Sequence, residues 1–220
     1  MPRALSTTAY AVLGMLALRP ATPYELTQQM QRSLDYLWTT SERSLYDQPE
    51  RLVAAGLAEV RTEGDDAGDR RRYAITPVGR EALAAWLATE AAPPRFQIES
   101  LLRVLFADQG EVDDLHQVLA GLREHVAERR RLGYDQMRTY LDDDGLFQER
   151  AHIVVLVGDL VGRMLDLLDD WAADVEALSA TWESTSGIGL SADVREVLVA
   201  LLEREAVRVA ADRAAGRGTR

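Results

Sequence analysis

The sequence predicts a mostly α-helical protein with one small β-hairpin: an N-terminal winged helix-turn-helix domain, then a C-terminal domain of long helices that we expect to dimerise. In residues 41–60, apolar side chains at helical spacing end at a glycine, and a strand-like alternation follows. Residues 70–79 form a returning strand and open another helix. Pro93 and Pro94 then separate this module from a helical remainder.

Two helices are expected before residue 41. The first covers about residues 7–17, begins after a cap near Ser6, and turns Val12, Leu13 and Leu16 inward. The second begins with a capping box, in which Thr22 is the cap, Pro23 takes the first helical position and Glu25 reaches back to the cap. A loop over residues 36–40 leads into the third helix.

The third helix has start and stop signals. Ser41 can accept a hydrogen bond from the first turn, and Gly56 stands where a left-handed C-cap is needed, with Leu57 as its apolar partner. The side chains expected in the core are Leu45, Leu52 and Val53. The sequence EGDDAGDR, residues 63–70, is a polar hairpin tip, and a fourth helix begins after it at Thr76 with Leu83, Trp86 and Leu87.

Several motifs stand in a fixed order: SLYDQPERLVAAGL from Ser44, RRYAITPVGREAL from Arg71, and then Trp86-Leu87. Together they resemble the PadR family of winged-helix transcriptional regulators over residues 5 to about 88. The resemblance implies double-stranded operator DNA as a partner. It also implies a homodimer formed by the C-terminal helices, as in the larger members of the family, and a small aromatic effector. The chain is then expected to act as a repressor that the effector releases from DNA.

The chain departs from the family pattern inside the third helix. The family usually has proline directly after the tyrosine, whereas this sequence has Asp47 there and Pro49 two residues later. Proline removes a helical N–H and crowds the preceding turn, so the helix is expected either to bend at Pro49 or to begin in earnest only near Asp47.

The expected DNA contacts lie on the third helix and at the hairpin end. Arginine, serine and tyrosine donors serve base edges and phosphates, and a wing tip can reach the DNA backbone. The candidates are Ser41, Arg43, Ser44, Tyr46, Arg51, Arg70, Arg71 and Arg72. The alternatives are an exposed helix face, a solvated hairpin end and, for Tyr46, packing against the first helix.

Five segments are expected along the chain: a winged-helix domain over residues 1–90, a linker at 91–96, a helical dimerisation domain at 97–182, a second linker at 183–190, and a final helix with a frayed tail at 191–220. Helices are expected at about 98–106, 112–141, 147–178 and 191–211. The third of these is apolar around much of its surface between residues 153 and 168. A helix of that kind is buried against several neighbours, so a partner chain is expected.

The net charge of −11 is unevenly distributed. Residues 1–92 contain 10 Arg and 12 acidic residues, a balance of −2, whereas residues 93–220 contain 15 Arg and 24 acidic residues, a balance of −9. DNA binding requires a local basic face, because phosphate attraction acts over a Debye length of about 8 Å. The acidic total nevertheless suits the rival hypothesis, a winged-helix adaptor that binds protein and not specific DNA.

The sequence argues against most other classes. It has no cysteine, which fits a reducing cytoplasm, and no apolar run long enough for a membrane span; the stretch after Arg3 imitates a signal peptide only faintly. Glu149 and His152 have the spacing of a di-metal bundle ligand pair, but no second pair exists, so no metal, cofactor or enzymatic activity is expected. By family resemblance, Trp171 and Trp182 are candidates for stacking on an effector; their alternative is a place in the core.

Overall fold

A computed structural model describes residues 5–33, 37–38, 40–63 and 70–217. The chain divides into two compact units, Met1–Pro94 and Arg95–Arg220. Within the described residues, helices predominate and the sheet has two antiparallel strands. The predicted fold class, mostly α with a small hairpin, is therefore confirmed. The expectations for Arg3, for most of the hairpin tip and for the last three residues lie outside the described ranges.

The first unit follows the predicted order of three helices, a hairpin and a fourth helix. The elements are α1 (Thr7–Leu18), α2 (Pro23–Ser33), α3 (Glu42–Ala54), β1 (Ala58–Glu63), β2 (Arg70–Ile75) and α4 (Pro77–Leu87). The hairpin register places Ala58 opposite Ile75 and Glu63 opposite Arg70. This is the architecture of a winged helix, with α3 in the recognition position and the hairpin as the wing.

Local capping explains where these helices begin. The Ser6 hydroxyl accepts the Ala9 N–H at 3.2 Å. In α2 the Thr22 hydroxyl accepts the Glu25 N–H at 3.2 Å, while the Glu25 carboxylate accepts the Thr22 N–H at 2.8 Å. The Thr76 hydroxyl accepts the Gly79 N–H at 3.0 Å and so starts α4. The predicted capping box is thus confirmed, because each partner satisfies a backbone donor that the first turn leaves free.

One apolar core lies between the helices and the hairpin. The inward positions predicted for α1 and α3 are confirmed, with Val53 partly buried against the core. Its buried side chains include Val12, Leu13, Leu16, Leu26, Met30, Leu45, Leu52, Tyr73 and Ile75. This core fixes α3 against α1 and α2 and leaves the opposite side of α3 in solvent.

The end of α3 is a Schellman motif. Gly56 has a φ of +72°, its N–H donates to the Val53 carbonyl at 2.9 Å, and the Leu57 N–H donates to the Leu52 carbonyl at 2.9 Å. A Cβ at Gly79 would overlap the Leu57 carbonyl oxygen, so α4 begins directly against this turn. The predicted C-cap is confirmed, and it sets the direction in which the chain enters the wing.

The structure corrects the expectation about Pro49. Helix α3 begins at Glu42 and continues through Pro49, so a start near Asp47 is wrong. The Ser41 hydroxyl accepts the Ser44 N–H at 3.3 Å and fixes the first turn ahead of the proline. Pro49 itself is buried on the core side of the helix, although it lacks an N–H for the bond to the preceding turn.

The second unit consists of helices joined by short turns. They are α5 (Glu99–Leu105), a 3-10 turn at Ala107–Gln109, α6 (Val112–Leu141), a 3-10 turn at Gln148–Arg150, α7 (Ala151–Ser179) and α8 (Ala192–Ala214). Helix α7 starts at Ala151 and not near Phe147 as expected. Phe147 has a φ of +60°, a left-handed conformation that a right-handed helix does not contain.

Helices α6 and α7 pack along their length with opposite chain direction. Buried Leu115 and Leu119 of α6 meet buried Ala172 of α7. Across the same interface, Arg123 lies 3.0 Å from Asp169, and Arg130 contacts both Asp166 and Asp169. Arg123, and then Arg130, lowers the pKa of Asp169. In the described chain, none of the helices has the length and apolar character that a membrane span requires.

Candidate DNA-binding surface

Helix α3 presents a mixed-charge face to solvent. Its buried side consists of Leu45, Gln48, Pro49 and Leu52. On the opposite side, helical spacing brings Arg43, Tyr46, Asp47, Glu50 and Arg51 together, with Asp47 partly buried and the other four exposed. A recognition helix reads DNA with its exposed side, so these five residues are what α3 can offer to a major groove.

The two arginines of this face differ in their surroundings. Arg51 lies 3.8 Å from Asp47, one turn earlier on the helix. Arg43 forms no ion pair with any residue in the described ranges. An unpaired guanidinium can form two parallel hydrogen bonds to a guanine edge or to a phosphate without first losing a protein partner. Arg43 is therefore the more readily available donor of the two.

The two serines predicted as contacts serve the start of α3. The Ser41 hydroxyl accepts the Ser44 N–H as the N-cap, and the Ser44 side chain is partly buried. Tyr46 is exposed and not packed in the core, which leaves its ring and hydroxyl accessible. Tyr46 therefore stays a predicted contact, whereas the hydroxyl of Ser41 already has a structural partner.

The three wing arginines lie in strand β2 and not at a loop tip. Arg70, Arg71 and Arg72 pair with Glu63, Thr62 and Arg61 of β1, respectively. Successive strand residues point to opposite faces, so the three cannot act as one basic cluster. This corrects the expectation that a polar tip carries them together. The side chain of Arg70 lies outside what the structure describes.

Arg72 links the wing to the start of α2. Its guanidinium donates to the Pro20 carbonyl at 3.3 Å and lies 3.1 Å from the Glu25 carboxylate. The Thr22 N–H, and then the Arg72 charge, lowers the pKa of Glu25. Arg72 is only partly exposed, so its main visible role is to join β2 to the capping box.

Arg71 points to the recognition helix. Its guanidinium lies 3.3 Å from the Glu50 carboxylate and 6.0 Å from the centre of the Tyr73 ring. The Tyr73 hydroxyl donates to the same Glu50 oxygen at 2.6 Å. Tyr73 is 3% exposed. Burial, followed by the Glu50 carboxylate, raises the pKa of Tyr73.

Sequence reasoning missed Glu50. Its partners are 21 and 23 residues away along the chain, and no local pattern indicates a contact between the middle of a helix and a later strand. The available signal was weak: Glu50 is an acid one turn after Tyr46, on the side of α3 that faces away from the apolar positions.

Strand β2 is fixed from both sides at Tyr73. Its backbone N–H donates to the Ala21 carbonyl at 2.8 Å, and the Ala21 N–H donates to the Tyr73 carbonyl at 3.0 Å. On the other side, Tyr73 pairs with Val60 of β1. The base of the wing therefore has a defined position relative to α2 and α3, and so does the Arg71 side chain.

The tryptophans predicted as effector contacts lie in the helical unit. Trp171 and Trp182 both pack against the cluster around Leu115, Leu119 and Ala172. Within the described residues, the indole N–H of Trp182 is buried and has no hydrogen-bond partner. A buried indole donor is usually paired, so this position is suited to an acceptor group.

Among the residues of the second unit that the structure describes, the carboxylates and histidines do not gather into a metal site. Glu149 belongs to the 3-10 turn before α7, and His152 lies within α7. No group of three or more His, Cys, Asp or Glu side chains in the described chain could hold a metal ion.

Known proteins resemble both the sequence and the fold. Residues 12–85 match the model of the transcriptional regulator PadR-like family. A probable transcriptional regulator of Mycobacterium tuberculosis is 27% identical over 183 residues, which cover 77% of this chain and 96% of the relative. The negative transcriptional regulator PadR of Bacillus subtilis is 25% identical over 100 residues, which cover 44% of this chain and 54% of that protein.

Two solved structures of Bacillus subtilis PadR share the fold. The complex with operator DNA has a TM-score of 0.63 and 18% identity, covering 79% of this chain and 99% of that one. The complex with p-coumaric acid has a TM-score of 0.57 and 19% identity, covering 79% and 98%. Together with the motifs of α3 and β2, these matches show that the winged-helix half of the chain is similar to PadR-like transcriptional regulators.

Proposed function

We propose that this protein is a homodimeric repressor that binds double-stranded operator DNA and is released from it by a small aromatic effector. The observation that carries the proposal is the solvent-exposed face of α3, with Arg43, Tyr46 and Arg51, beside Arg71 on the wing. The name of the Bacillus subtilis relative, a negative regulator, and its complex with operator DNA support the same function.

The proposed DNA contacts divide into two kinds. Arg43 and Arg51 enter the major groove with α3 and form hydrogen bonds to base edges, as arginine does with guanine. Tyr46, at the edge of the same face, and Arg71, at the base of the wing, contact the phosphate backbone and fix the register. Ser41, Ser44, Arg70 and Arg72 remain sequence predictions, and for Ser41 and Arg72 we favour the internal contacts already described.

The proposed dimer uses an apolar seam on α7. Ile153, Leu160 and Leu167 repeat every seven residues, and Val157, Met164 and Trp171 form a second such series four residues after the first. This is the a and d spacing of a coiled-coil seam. Four of the six side chains, Ile153, Val157, Leu160 and Leu167, are exposed in the single chain. A second copy would cover them, and that is the partner the sequence leads us to expect.

A two-fold dimer would present two α3 helices to one side of the DNA. Their separation should then be about one helical turn, roughly 34–36 Å, on a pseudo-palindromic operator. The effector would act by favouring a dimer geometry in which the two helices no longer fit successive grooves. Trp171 and Trp182 are the proposed effector contacts, because the free indole N–H of Trp182 suits a carboxylate or carbonyl acceptor and the relative binds p-coumaric acid.

The test begins with selection of bound fragments from the source genome, followed by sequencing. On the selected duplex, Arg43→Ala should weaken binding by about 1–3 kcal/mol if the side chain reads a base. Arg71→Ala should weaken binding to all sequences and reduce the salt dependence by about one phosphate contact. Arg103→Ala is the matched control, since Arg103 lies on α5 and pairs with Glu99.

The same measurements separate a DNA-binding regulator from a protein-binding adaptor. If 6–10 phosphates are contacted, affinity should fall by about 10³–10⁵ between 50 and 200 mM salt. Recovery of no enriched genomic fragment, or equal affinity of the Arg43 variant and the Arg103 control, would remove the proposed surface from DNA recognition. A thermal-shift titration with p-coumaric acid and other phenolic acids tests the effector. If none of these compounds raises the melting temperature and DNA is released by some other trigger, the proposed aromatic effector is refuted.

A further inference from the structure

The Glu50 carboxylate joins the recognition helix to the wing. One oxygen accepts the Tyr73 hydroxyl at 2.6 Å and lies 3.3 Å from the Arg71 guanidinium. Glu50 stands on the same exposed side of α3 as Arg43. An acid therefore occupies the surface that the proposed function assigns to DNA, and it neutralises one of the proposed phosphate contacts.

The two contacts of Glu50 differ in how easily they break. Tyr73 is buried and fixed by its backbone bonds to Ala21, so the hydroxyl holds the carboxylate in place. The ion pair with Arg71 is open to solvent, because the Arg71 side chain is 61% exposed and that of Glu50 is 56% exposed. A phosphate arriving at the surface can compete for the guanidinium, whereas the carboxylate stays anchored to Tyr73.

We propose that Glu50 is an internal counter-ion for Arg71: the carboxylate occupies the guanidinium in the free protein, and a DNA phosphate takes its place on binding. The proposal rests on the proposed function. It predicts that part of the attraction between Arg71 and DNA is lost in breaking the pair with Glu50. Glu50 thus weakens binding to any sequence and limits retention on non-specific DNA.

Glu50→Gln removes the proposed counter-ion. The amide keeps the size of the side chain and an oxygen that accepts the Tyr73 hydroxyl, but it removes the charge that faces Arg71. Exposed ion pairs change an equilibrium by about 1.5–5-fold, and we expect Glu50→Gln to gain at least that factor in affinity. Asp47→Asn is the matched control, since it removes the same charge from the same helix face and its partner is Arg51.

Loss of an acid near DNA also reduces general repulsion, so the decisive experiment is a double-mutant cycle. The wild-type protein, Glu50→Gln, Arg71→Gln and the double variant are titrated by fluorescence anisotropy against a random-sequence duplex of roughly three helical turns and against the selected operator. Glu50→Gln should increase DNA affinity by a factor that is about 1.5–5-fold larger when residue 71 is Arg than when it is Gln. Asp47→Asn should increase DNA affinity by the same factor whether residue 71 is Arg or Gln.

Other outcomes overturn the proposal. Equal gains for Glu50→Gln in both backgrounds would mean general repulsion alone. A loss of affinity only when Arg71 is present would mean that Glu50 holds Arg71 in its binding orientation. Binding to neither duplex by any variant would refute the proposed function as well, whereas binding without coupling refutes only the counter-ion.

A measurement without DNA checks the contact itself. Because the Glu50 charge helps to raise the pKa of Tyr73, Glu50→Gln should lower that pKa in an NMR titration of the tyrosine ring. An unchanged titration would show that the carboxylate does not lie beside Tyr73 in the free protein, which also overturns the proposal.

Discussion

Truncation of the α7 seam should dissociate the proposed dimer. The perturbation is the double variant Leu160→Ala and Leu167→Ala, which removes two side chains that are 53% and 68% exposed in the single chain. Full burial of a leucine contributes about 1.5–3 kcal/mol, so covering these exposed parts contributes about 1–2 kcal/mol for each side chain. Two-fold symmetry doubles the effect, because each protomer loses the same pair.

The expected loss is therefore about 4–8 kcal/mol per dimer, or roughly a 10³–10⁶-fold higher dissociation constant. Sedimentation equilibrium over a range of protein concentrations measures it directly. Far-UV circular dichroism should stay helical, since both residues lie outside the buried contact of α7 with α6. Val78→Glu on α4 is the control: Val78 is 58% exposed and belongs to the winged-helix unit, so its substitution should not change dimerisation.

The proposed seam is refuted if the double variant dimerises as strongly as the wild-type protein. It also fails if the wild-type protein is monomeric at every concentration, because the seam would then have no partner copy. Loss of DNA binding together with loss of the dimer would further connect the seam to the spacing of the two α3 helices.

Two further predictions concern the stability of the first unit. Gly79→Ala should lower the midpoint of urea unfolding, because its Cβ would overlap the Leu57 carbonyl oxygen and such overpacking destabilises by about 1–3 kcal/mol. The control is Gly14→Ala, which has open space at its Cβ and should not lower the midpoint. Equal midpoints for the two variants would contradict the contact at Gly79. The Thr22 N–H lowers the pKa of Glu25 in the folded protein. The ionised Glu25 side chain therefore stabilises the fold fully above the ordinary glutamate pKa, and this contribution is lost as the pH falls through the lowered pKa. The wild-type protein should therefore have a larger free energy of unfolding than Glu25→Gln above that pH range, and the difference should disappear in acid. A difference that stays constant with pH would refute this prediction.

The parts of the fold that the sequence predicted depend on neighbouring residues. Thr22 and Glu25 are three positions apart, and Gly56 follows directly on the helix that it ends, so residue chemistry alone locates these boundaries. The left-handed turn at Phe147 had no such signal, since the residue is not one that usually adopts that conformation. The start of α7 was accordingly expected too early.

The sequence predicts which side of α3 is exposed, but it does not predict which side chains in the candidate site contact each other. Helical spacing alone shows that Arg43 and Arg51 lie opposite the core side of α3. The pairs that decide which cations are free join distant parts of the chain: Arg71 with Glu50, and Arg72 with Glu25, 47 residues away. A run of three arginines suggests one basic cluster, yet strand geometry sends neighbours to opposite sides. Only the folded hairpin pairs Arg71 with Glu50 and Arg72 with Glu25.

The backbone bridge between Ala21 and Tyr73 makes the position of α3 independent of the length of the hairpin. Because the base of the hairpin is fixed to the helices on one edge and to β1 on the other, the number of residues between Glu63 and Arg70 can vary without moving α3. The reach of the proposed wing contact along DNA can therefore change while the proposed recognition helix keeps its position.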